Sequence, residues 1–123
     1  GIINLPIGRN NSDFRKRATG KEVRGEAREA ITHYKTLARK QKISLIEANP
    51  RTGRTHQLRV HFADLGHGII GDKMYGVSKK SPVSISRLAL HAYSIEFELP
   101  EKKLIKIIAP YPPDFEQTVE FFS

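Results

Sequence analysis

The segment that decides the fold is RTGRTHQLRVHFADLGHGIIGDKMYG, residues 51–76. Thr52 or Thr55 offers an N-cap, and the pattern that follows predicts a helix to about Leu65, ended by Gly66. Helical spacing predicts that its core face consists of Leu58, His61, Phe62 and Leu65. The glycines after the helix predict a tightly folded loop.

Two strands are predicted before this helix. Residues 30–38 alternate between apolar and polar side chains, and residues 43–48 form a second strand-like run. The pair is predicted to be a hairpin with its tip at residues 39–42. Residues 1–7 predict a short edge strand, whereas residues 10–28 are polar and basic and predict a long exposed loop.

Beyond the helix, residues 78–86 form a largely polar connector. Residues 88–99 predict a strand with an irregular start, and residues 104–109 predict its hairpin partner. Pro112-Pro113-Asp114 predicts the start of a short terminal helix. The fold class predicted from this order is α+β, with a mixed, mainly antiparallel sheet, one central helix and a short C-terminal helix.

Composition predicts one domain, because the chain has 123 residues and 38% of them are hydrophobic. No cysteine is present, which excludes a disulfide scaffold and a thiolate metal site. The apolar runs fall far short of the ~20 residues that span a bilayer, so no membrane partner is predicted. A reducing, cytoplasmic location is compatible with these features and is our expectation.

The formal net charge of +8 favours a polyanionic partner. Much of the excess lies in the first third of the chain, where a basic surface gains affinity by releasing counterions from phosphates. The alternative is a solvated basic face that aids solubility. Charge alone therefore favours nucleic acid without deciding the matter.

The chain resembles the RluA-type RNA pseudouridine synthases. The resemblance is carried by motifs in the family's order, namely LPIGR at 5–9, GK at 20–21, AxTxY at 30–34, GRTHQLRVH at 53–61, GH at 66–67, GD at 71–72, YG at 75–76, Arg87, LHA at 90–92 and APxP at 109–112. It covers nearly the whole chain. Gly68 stands where the family has proline, which loosens the loop without touching the chemistry.

The resemblance implies an enzyme that isomerises uridine to pseudouridine in structured RNA, without any cofactor. The family's nucleophilic aspartate lies in a His-Arg-Leu-Asp segment that residues 1–123 do not contain. We therefore expect the chain to be a C-terminal part of one catalytic domain and to be inactive alone. The stacking tyrosine of the family is also expected upstream, and Tyr34 is interpreted as a sheet-packing residue.

The resemblance places the cation that orients this aspartate at Arg59, through a two-pronged ion pair. Without the motif, Arg59 would be an ordinary surface arginine of a helix. The residues expected to support the site by hydrogen bonds or apolar contact are His56, Gln57, Asp72, His91 and Leu90. For Leu90, a plain role in a strand core is an equal alternative.

Positively charged side chains are expected to hold the RNA backbone without selecting sequence. They are Arg9, Arg15, Lys16, Arg17, Lys21 and Arg54. Specificity is expected to come from RNA shape and an unpaired loop, with ribosomal RNA preferred over transfer RNA.

Other chemistries fit less well. No metal site is predicted, since His56 and His61 are five residues apart, about 140° around a helix. A nucleotide-binding P-loop is excluded because the Gly-Arg-Thr lacks its lysine. The aspartates Asp13, Asp64, Asp72 and Asp114 have routine structural explanations, and Asp72 is expected to brace the loop after the helix.

Two classes of function remain open. The chain is either the C-terminal part of a uridine isomerase or a non-catalytic RNA-binding module of synthase ancestry. A part of an enzyme should expose an apolar sheet edge where the rest of the domain belongs, and it should tend to dimerise or swap through that edge.

Overall fold

The structure is a computed structural model that describes residues 1–76 and 81–123. The strands are β1 (Ile2–Asn4), β2 (Ile7–Asn10), β3 (Arg17–Ala18), β4 (Val23–Arg28), β5 (Ile31–Lys40), β6 (Ile43–Pro50), β7 (Ser94–Glu98) and β8 (Leu104–Ile108). The helices are α1 (Gln57–Asp64) and α2 (Pro113–Glu120), and one 3₁₀ turn lies at Gly20–Glu22. The predicted α+β class is confirmed: the strands of the described residues pair antiparallel in three small sheets.

The predicted first hairpin is confirmed and is longer than expected, because β5 and β6 pair from Thr32↔Pro50 to Lys40↔Ile43. Gln41 and Lys42 form its two-residue turn with φ of 47° and 67°. Such left-handed angles match the turn to the twist of the strands. Strand β1 adds to the free edge of β5, in the order β1-β5-β6.

The prediction of a loop at residues 10–28 is wrong, because this region supplies most of a three-stranded sheet in the order β3-β2-β4. Close backbone contact explains the pairing. A Cβ on Gly8 would press against the Val23 side chain and the Glu26 carbonyl, so only glycine fits beneath β4. Gly25, with φ of 78°, lies in the irregular stretch of β4 opposite Gly8.

Helix α1 begins at Gln57, and its N-cap is His56 in the left-handed region rather than Thr52 or Thr55. Thr52 instead ties the segment before the helix to β5, because its hydroxyl accepts the Ile31 N–H at 3.0 Å and donates to Gln57 Oε1 at 2.7 Å. These two bonds fix the chain just before the helix. Sequence reasoning missed them because they join the helix start to a strand distant in sequence.

The predicted core face of α1 is partly wrong. The buried side chains are Gln57, Val60, His61 and Phe62, whereas Leu65 is 43% exposed. Gly66 ends the helix as predicted, with φ of 82°. The N–H groups of Gly66 and His67 donate to the carbonyls of Ala63 and Phe62, both at 2.9 Å, which is the Schellman pattern.

A chain of hydrogen bonds holds α1 to the first sheet. Gln57 Nε2 donates to the Thr32 hydroxyl at 3.0 Å, and that hydroxyl lies 2.9 Å from His61 Nδ1. His61 Nε2 lies 2.9 Å from the Leu5 carbonyl, which can only accept. The pattern requires the proton on Nε2, with Nδ1 accepting from Thr32. His61 and Thr32 are fully buried, so this network stabilises the interior.

The C-terminal part begins later than predicted, because regular strand structure starts at Ser94 rather than residue 88. Strand β8 pairs with it from Ser94↔Ile108 to Glu98↔Leu104. The predicted terminal helix is confirmed at α2. The predicted connector at residues 78–86 lies partly outside the described residues, and its described part, 81–86, has no regular element. In the described part of the chain, no helix is long and apolar enough to cross a membrane.

We expect Thr32→Val to destabilise the fold by about 1–3 kcal/mol, because it leaves His61 Nδ1 buried without a partner. Urea unfolding of residues 1–123 measures the change. The control is Thr36→Val, an exposed threonine on the same strand, whose effect should stay within about 0.5 kcal/mol. Equal losses in the two variants would contradict the proposed network.

Candidate functional site

The centre of the site is a two-pronged ion pair between Arg59 on α1 and Asp72 in the loop that follows. Arg59 Nε donates to Oδ2 at 2.9 Å, and Nη2 donates to Oδ1 at 2.8 Å. The Asp72 side chain has no exposed surface, whereas that of Arg59 is 21% exposed. The buried Asp72 carboxylate therefore holds the Arg59 guanidinium, which remains partly accessible to solvent.

Asp72 also fixes the loop. Its Oδ1 accepts the backbone N–H groups of Met74 at 3.0 Å and Tyr75 at 3.1 Å. Burial alone would raise the pKa of Asp72, but the hydrogen bond from Arg59 and those two N–H groups lower the pKa below its ordinary value of 3.8. Asp72 is therefore held in its charged form.

Two glycines let this loop close around Asp72. Gly71 has φ of 80°, and a Cβ there would overlap the Arg87 carbonyl. A Cβ on Gly76 would overlap the carbonyl of Asp72 itself. Because any side chain would force the loop open, these glycines determine where the carboxylate lies relative to α1.

Tyr75 connects the ion pair to His56. Its ring lies beneath the guanidinium, with Arg59 Cζ 5.1 Å from the ring centroid. The Tyr75 hydroxyl accepts the Arg17 backbone N–H at 2.8 Å and lies 2.7 Å from His56 Nδ1. Since the hydroxyl proton has this one acceptor, the pattern places it on the bond to a neutral His56.

The surroundings of His56 favour the neutral form. Burial lowers its pKa below the ordinary value of 6.5, and the positive charges of Arg59 and Arg17 lower it further. The negative charge of Asp72 acts in the opposite direction but does not prevail. His56 is thus a hydrogen-bond acceptor from Tyr75 at neutral pH.

Arg59 borders two cavities. The first, of about 240 Å³, has a largely apolar lining that includes Leu58, Leu90, His56 and Arg54. Gln57 lines it too, and its side chain also ties Arg54 N–H and the Ile31 carbonyl together at 3.1 and 3.0 Å. This cavity offers apolar contact together with cationic groups at its wall.

The second cavity, of about 410 Å³, is more polar and lies between Arg59 and the turn before β3. Its lining residues are Asp13, Arg15, Lys16, Arg59, Lys73 and Met74. Asp13 forms an ion pair with Arg15, and the hydrogen bond from Arg15 lowers the pKa of Asp13 to about 2. Cations therefore dominate this cavity.

The site residues predicted from the sequence do not all lie around one cavity. Arg59, His56, Gln57, Arg54 and Leu90 surround the first cavity, and Arg15 and Lys16 reach the second. Arg9 and Lys21 line neither. His91 is 2.9 Å from the Ala109 carbonyl and packs among Tyr93, Tyr111 and Phe115, apart from the ion pair.

The sequence predicts a two-pronged pair of Arg59 with an aspartate outside the chain, and the structure gives Arg59 an internal partner, Asp72. Sequence reasoning also missed Tyr75, Lys73 and Met74. The motif GDKMYG contains all of them. What it does not reveal is that the loop folds back over the helix and brings residue 72 onto residue 59.

The other aspartates are engaged elsewhere. Asp64 accepts the Thr19 hydroxyl at 2.7 Å, and Asp114 forms a two-pronged pair with Arg87 at 2.8 and 3.2 Å. No group of three potential metal ligands occurs in residues 1–76 and 81–123.

We expect Asp72→Asn to cost about 1–3 kcal/mol of unfolding free energy, because it leaves a half-buried guanidinium without its countercharge. The control is Asp114→Asn. It breaks a pair of the same geometry whose side chains are 40% and 42% exposed, and solvent screening should make its cost clearly smaller. Urea unfolding of both variants makes the comparison, and equal costs would contradict a special role for the Asp72 pair.

Stability should also depend on His56. The pKa of His56 is lower in the folded chain than its ordinary value of 6.5. As the pH falls below 6.5, unfolding is therefore accompanied by uptake of a proton. The stability that neutral His56 contributes is thus present above pH 6.5 and is lost as the pH falls through the pKa of the folded chain. His56→Asn accepts the left-handed backbone and does not titrate. Between pH 7.5 and 5.5, urea unfolding should show a smaller loss of stability in this variant than in the parent. Identical pH profiles would contradict the assignment.

Comparisons with known proteins show the family to which the chain belongs. A family model described as RNA pseudouridylate synthase matches residues 1–64, just over half of the chain. A protein named uncharacterized RNA pseudouridine synthase YhcT, from Bacillus subtilis, is 41% identical over 119 residues, covering 94% of this chain and 37% of the relative. Ribosomal large subunit pseudouridine synthase D of Xylella fastidiosa is 40% identical over 129 residues, covering 95% of this chain and 38% of the relative.

The fold has a solved counterpart in human RNA pseudouridylate synthase domain containing 1, with a TM-score of 0.79 and 26% identity, over 99% of this chain and 58% of the human one. The chain thus spans about two fifths of the length of the curated relatives named above. On the match of the family model and of these relatives, the chain belongs to the RNA pseudouridylate synthase family.

Proposed function

We propose that residues 1–123 are the C-terminal part of the catalytic domain of an RluA-type RNA pseudouridine synthase and supply the arginine that orients its nucleophile. The single observation that carries this proposal is the way Asp72 holds Arg59. Asp72 uses one edge of the guanidinium, through Nε and Nη2. A second edge, formed by Nη1 and the other N–H of Nη2, has no acceptor among the described residues.

A guanidinium has five N–H donors arranged so that each edge fits one carboxylate. With one edge bound to Asp72, the other edge is turned to a definite direction before any partner arrives. The nucleophilic aspartate of the family would bind there and stay ionised beside the cation. Asp72 is then a positioning residue, and Arg59 contacts the catalytic group.

The chemistry is an isomerisation that needs no cofactor. The bond between ribose C1′ and uracil N1 breaks, the uracil turns, and a new bond forms between C1′ and C5. N1 gains a proton, and the hydrogen on C5 leaves to solvent. The target uridine has to leave the RNA stack to reach such a site.

The first cavity is our proposed place for the flipped base. At about 240 Å³ it is smaller than the ~300–1,000 Å³ of drug-sized sites, which suits a single pyrimidine. Leu58 and Leu90 offer apolar contact. His56, kept neutral by its surroundings, and Arg54 offer polar groups at the wall.

The second cavity is our proposed place for the adjoining RNA backbone. Arg15, Lys16 and Lys73 line it without any uncompensated acid, because Asp13 is paired with Arg15. Arg59 lies between the two cavities, so base and backbone would bind on either side of one cation. Such contacts position RNA and do not select sequence.

The exposed C-terminal hairpin supports the part of the proposal that places these residues in a larger domain. Strands β7 and β8 carry large apolar side chains that remain exposed on one face, at 60% for Ile95, 40% for Phe97 and 54% for Ile107. A contiguous apolar sheet of this kind is a surface that binds another element. We propose that the segment with the nucleophile packs there, and that isolated residues 1–123 dimerise or swap through it.

Ribosomal RNA is our proposed substrate class, in preference to transfer RNA. Support comes from the Xylella fastidiosa relative, whose name assigns it to the large ribosomal subunit. Such an enzyme would work in the cytoplasm. The second candidate function, a non-catalytic RNA-binding module, explains the basic surface but leaves the second edge of Arg59 without a use.

We expect residues 1–123 to restore catalysis when they replace the matching region of the Xylella fastidiosa synthase. The chimera should release tritium from large-subunit RNA labelled at uridine C5. Arg59→Ala should reduce turnover by about 10³-fold or more while RNA affinity changes little. Arg59→Lys should recover little, since lysine keeps the charge but has no second edge.

The control for this experiment is Arg39→Ala, an exposed arginine on β5 outside both cavities. It should leave turnover unchanged. If Arg59→Ala lowers RNA affinity and turnover by the same factor, Arg59 is a phosphate contact and the proposal is overturned. A folded chimera that binds RNA but releases no tritium would favour the binding-module alternative.

A further inference from the structure

The sheet β3-β2-β4 carries three arginines in one row. Arg9 on β2 is directly opposite Arg17 on β3, and it is also directly opposite Arg24 on β4. Directly opposed residues of antiparallel strands point to the same face. The three residues therefore start from one face, over about 10 Å at the usual strand spacing. Arg17 Nη1 also donates to the Phe14 carbonyl at 3.5 Å and to the Lys16 carbonyl at 3.4 Å, which leaves its other N–H groups available.

This row is unfavourable for the chain by itself. Like charges directly opposed across strands destabilise a sheet. The ion pairs among residues 1–76 and 81–123 join Arg15 to Asp13, Arg59 to Asp72 and Arg87 to Asp114, so no acid in that part of the chain neutralises the row. Arg9 and Arg24 are exposed and Arg17 is half-buried. The row is thus placed to bind an external anion.

One end of the row is attached to the site. The backbone N–H of Arg17 donates to the Tyr75 hydroxyl, and the Tyr75 ring lies beneath Arg59. From Arg17 the row leads away through Arg9 to Arg24, on the strand farthest from that contact. Arg17 therefore lies next to the site, and Arg9 and Arg24 lie progressively farther from it across the sheet.

We propose that Arg17, Arg9 and Arg24 bind consecutive phosphates of the RNA strand that leads away from the target uridine. Neighbouring members of the row start ~4.8 Å apart at their backbones, and the long arginine side chains can spread from there to reach successive phosphates. Each guanidinium can bind a phosphate through two N–H groups. This inference rests on the proposed function and goes beyond it by giving the RNA a direction and by adding Arg24, which sequence analysis did not select.

The test is the salt dependence of RNA binding by residues 1–123. Fluorescence anisotropy with a labelled single-stranded RNA, over a salt range of roughly 50 to 400 mM, gives the slope of log Kd against log salt. Arg9→Gln and Arg24→Gln should each lower the slope by about 0.7 and, together, by about 1.4. Each should raise Kd at about 150 mM salt by about two- to fivefold, equally for RNAs of different sequence.

The matched control is Arg39→Gln, which removes the same charge from an exposed strand position outside the row. It should leave the slope unchanged. The pair of variants Arg9→Lys and Arg24→Lys should keep the parent slope, because the charges remain, and this separates lost contacts from lost folding. Circular dichroism of every variant checks the fold.

The proposal is overturned if Arg9→Gln and Arg24→Gln change the slope no more than Arg39→Gln does. It is also overturned if polyglutamate displaces the RNA at equal charge concentration, because the row is then a general surface for acidic polymers. If the chimera is active but the row variants bind RNA as tightly as the parent, the phosphate-binding role of the row is refuted and the catalytic function stands. If the row variants weaken RNA binding but the folded chimera releases no tritium, the catalytic function is refuted and the phosphate-binding role of the row stands.

Discussion

The ion pair between Arg59 and Asp72 is the interaction on which the rest of the site depends. It fixes the loop of residues 71–76 on the helix, since the same carboxylate accepts two backbone N–H groups of that loop. It brings the Tyr75 ring under the guanidinium and thereby the Tyr75 hydroxyl to His56. One buried carboxylate thus determines the direction of the cation and the path of the loop, and through Tyr75 it places a hydrogen-bond donor at His56.

A second polar network supports the same helix from the sheet side. Gln57, Thr32 and His61 form a buried chain of hydrogen bonds that ends on the Leu5 carbonyl. Residues 56 to 61 therefore serve both sides of the helix, with His56 and Arg59 at the cavities, His61 in the interior, and Gln57 in contact with both. Networks of this kind specify a unique arrangement, because each buried polar group requires its own partner. The two networks together therefore fix the position and orientation of the Arg59 guanidinium.

Much of this could be predicted from the sequence, because the signals were local. The alternation in β5 and β6 and the glycine after α1 predict a hairpin and a helix end. The sheet of β2, β3 and β4 was missed, since its pairing depends on the close contact over Gly8 and on an irregular stretch at Gly25, neither of which changes the polar pattern. The partner of Arg59 was missed for a related reason: it depends on how Gly71 and Gly76 fold the loop, and sequence spacing does not reveal that path.

Tritium release from RNA labelled at uridine C5, measured with residues 1–123 alone, distinguishes a chain that orients a nucleophile from one that supplies it. We propose the former, since the aspartates of this chain are each bonded to a partner. We expect a folded chain that binds the RNA and releases no tritium above the background of RNA alone. Release by residues 1–123, lost on substitution of one of the four aspartates, would contradict it.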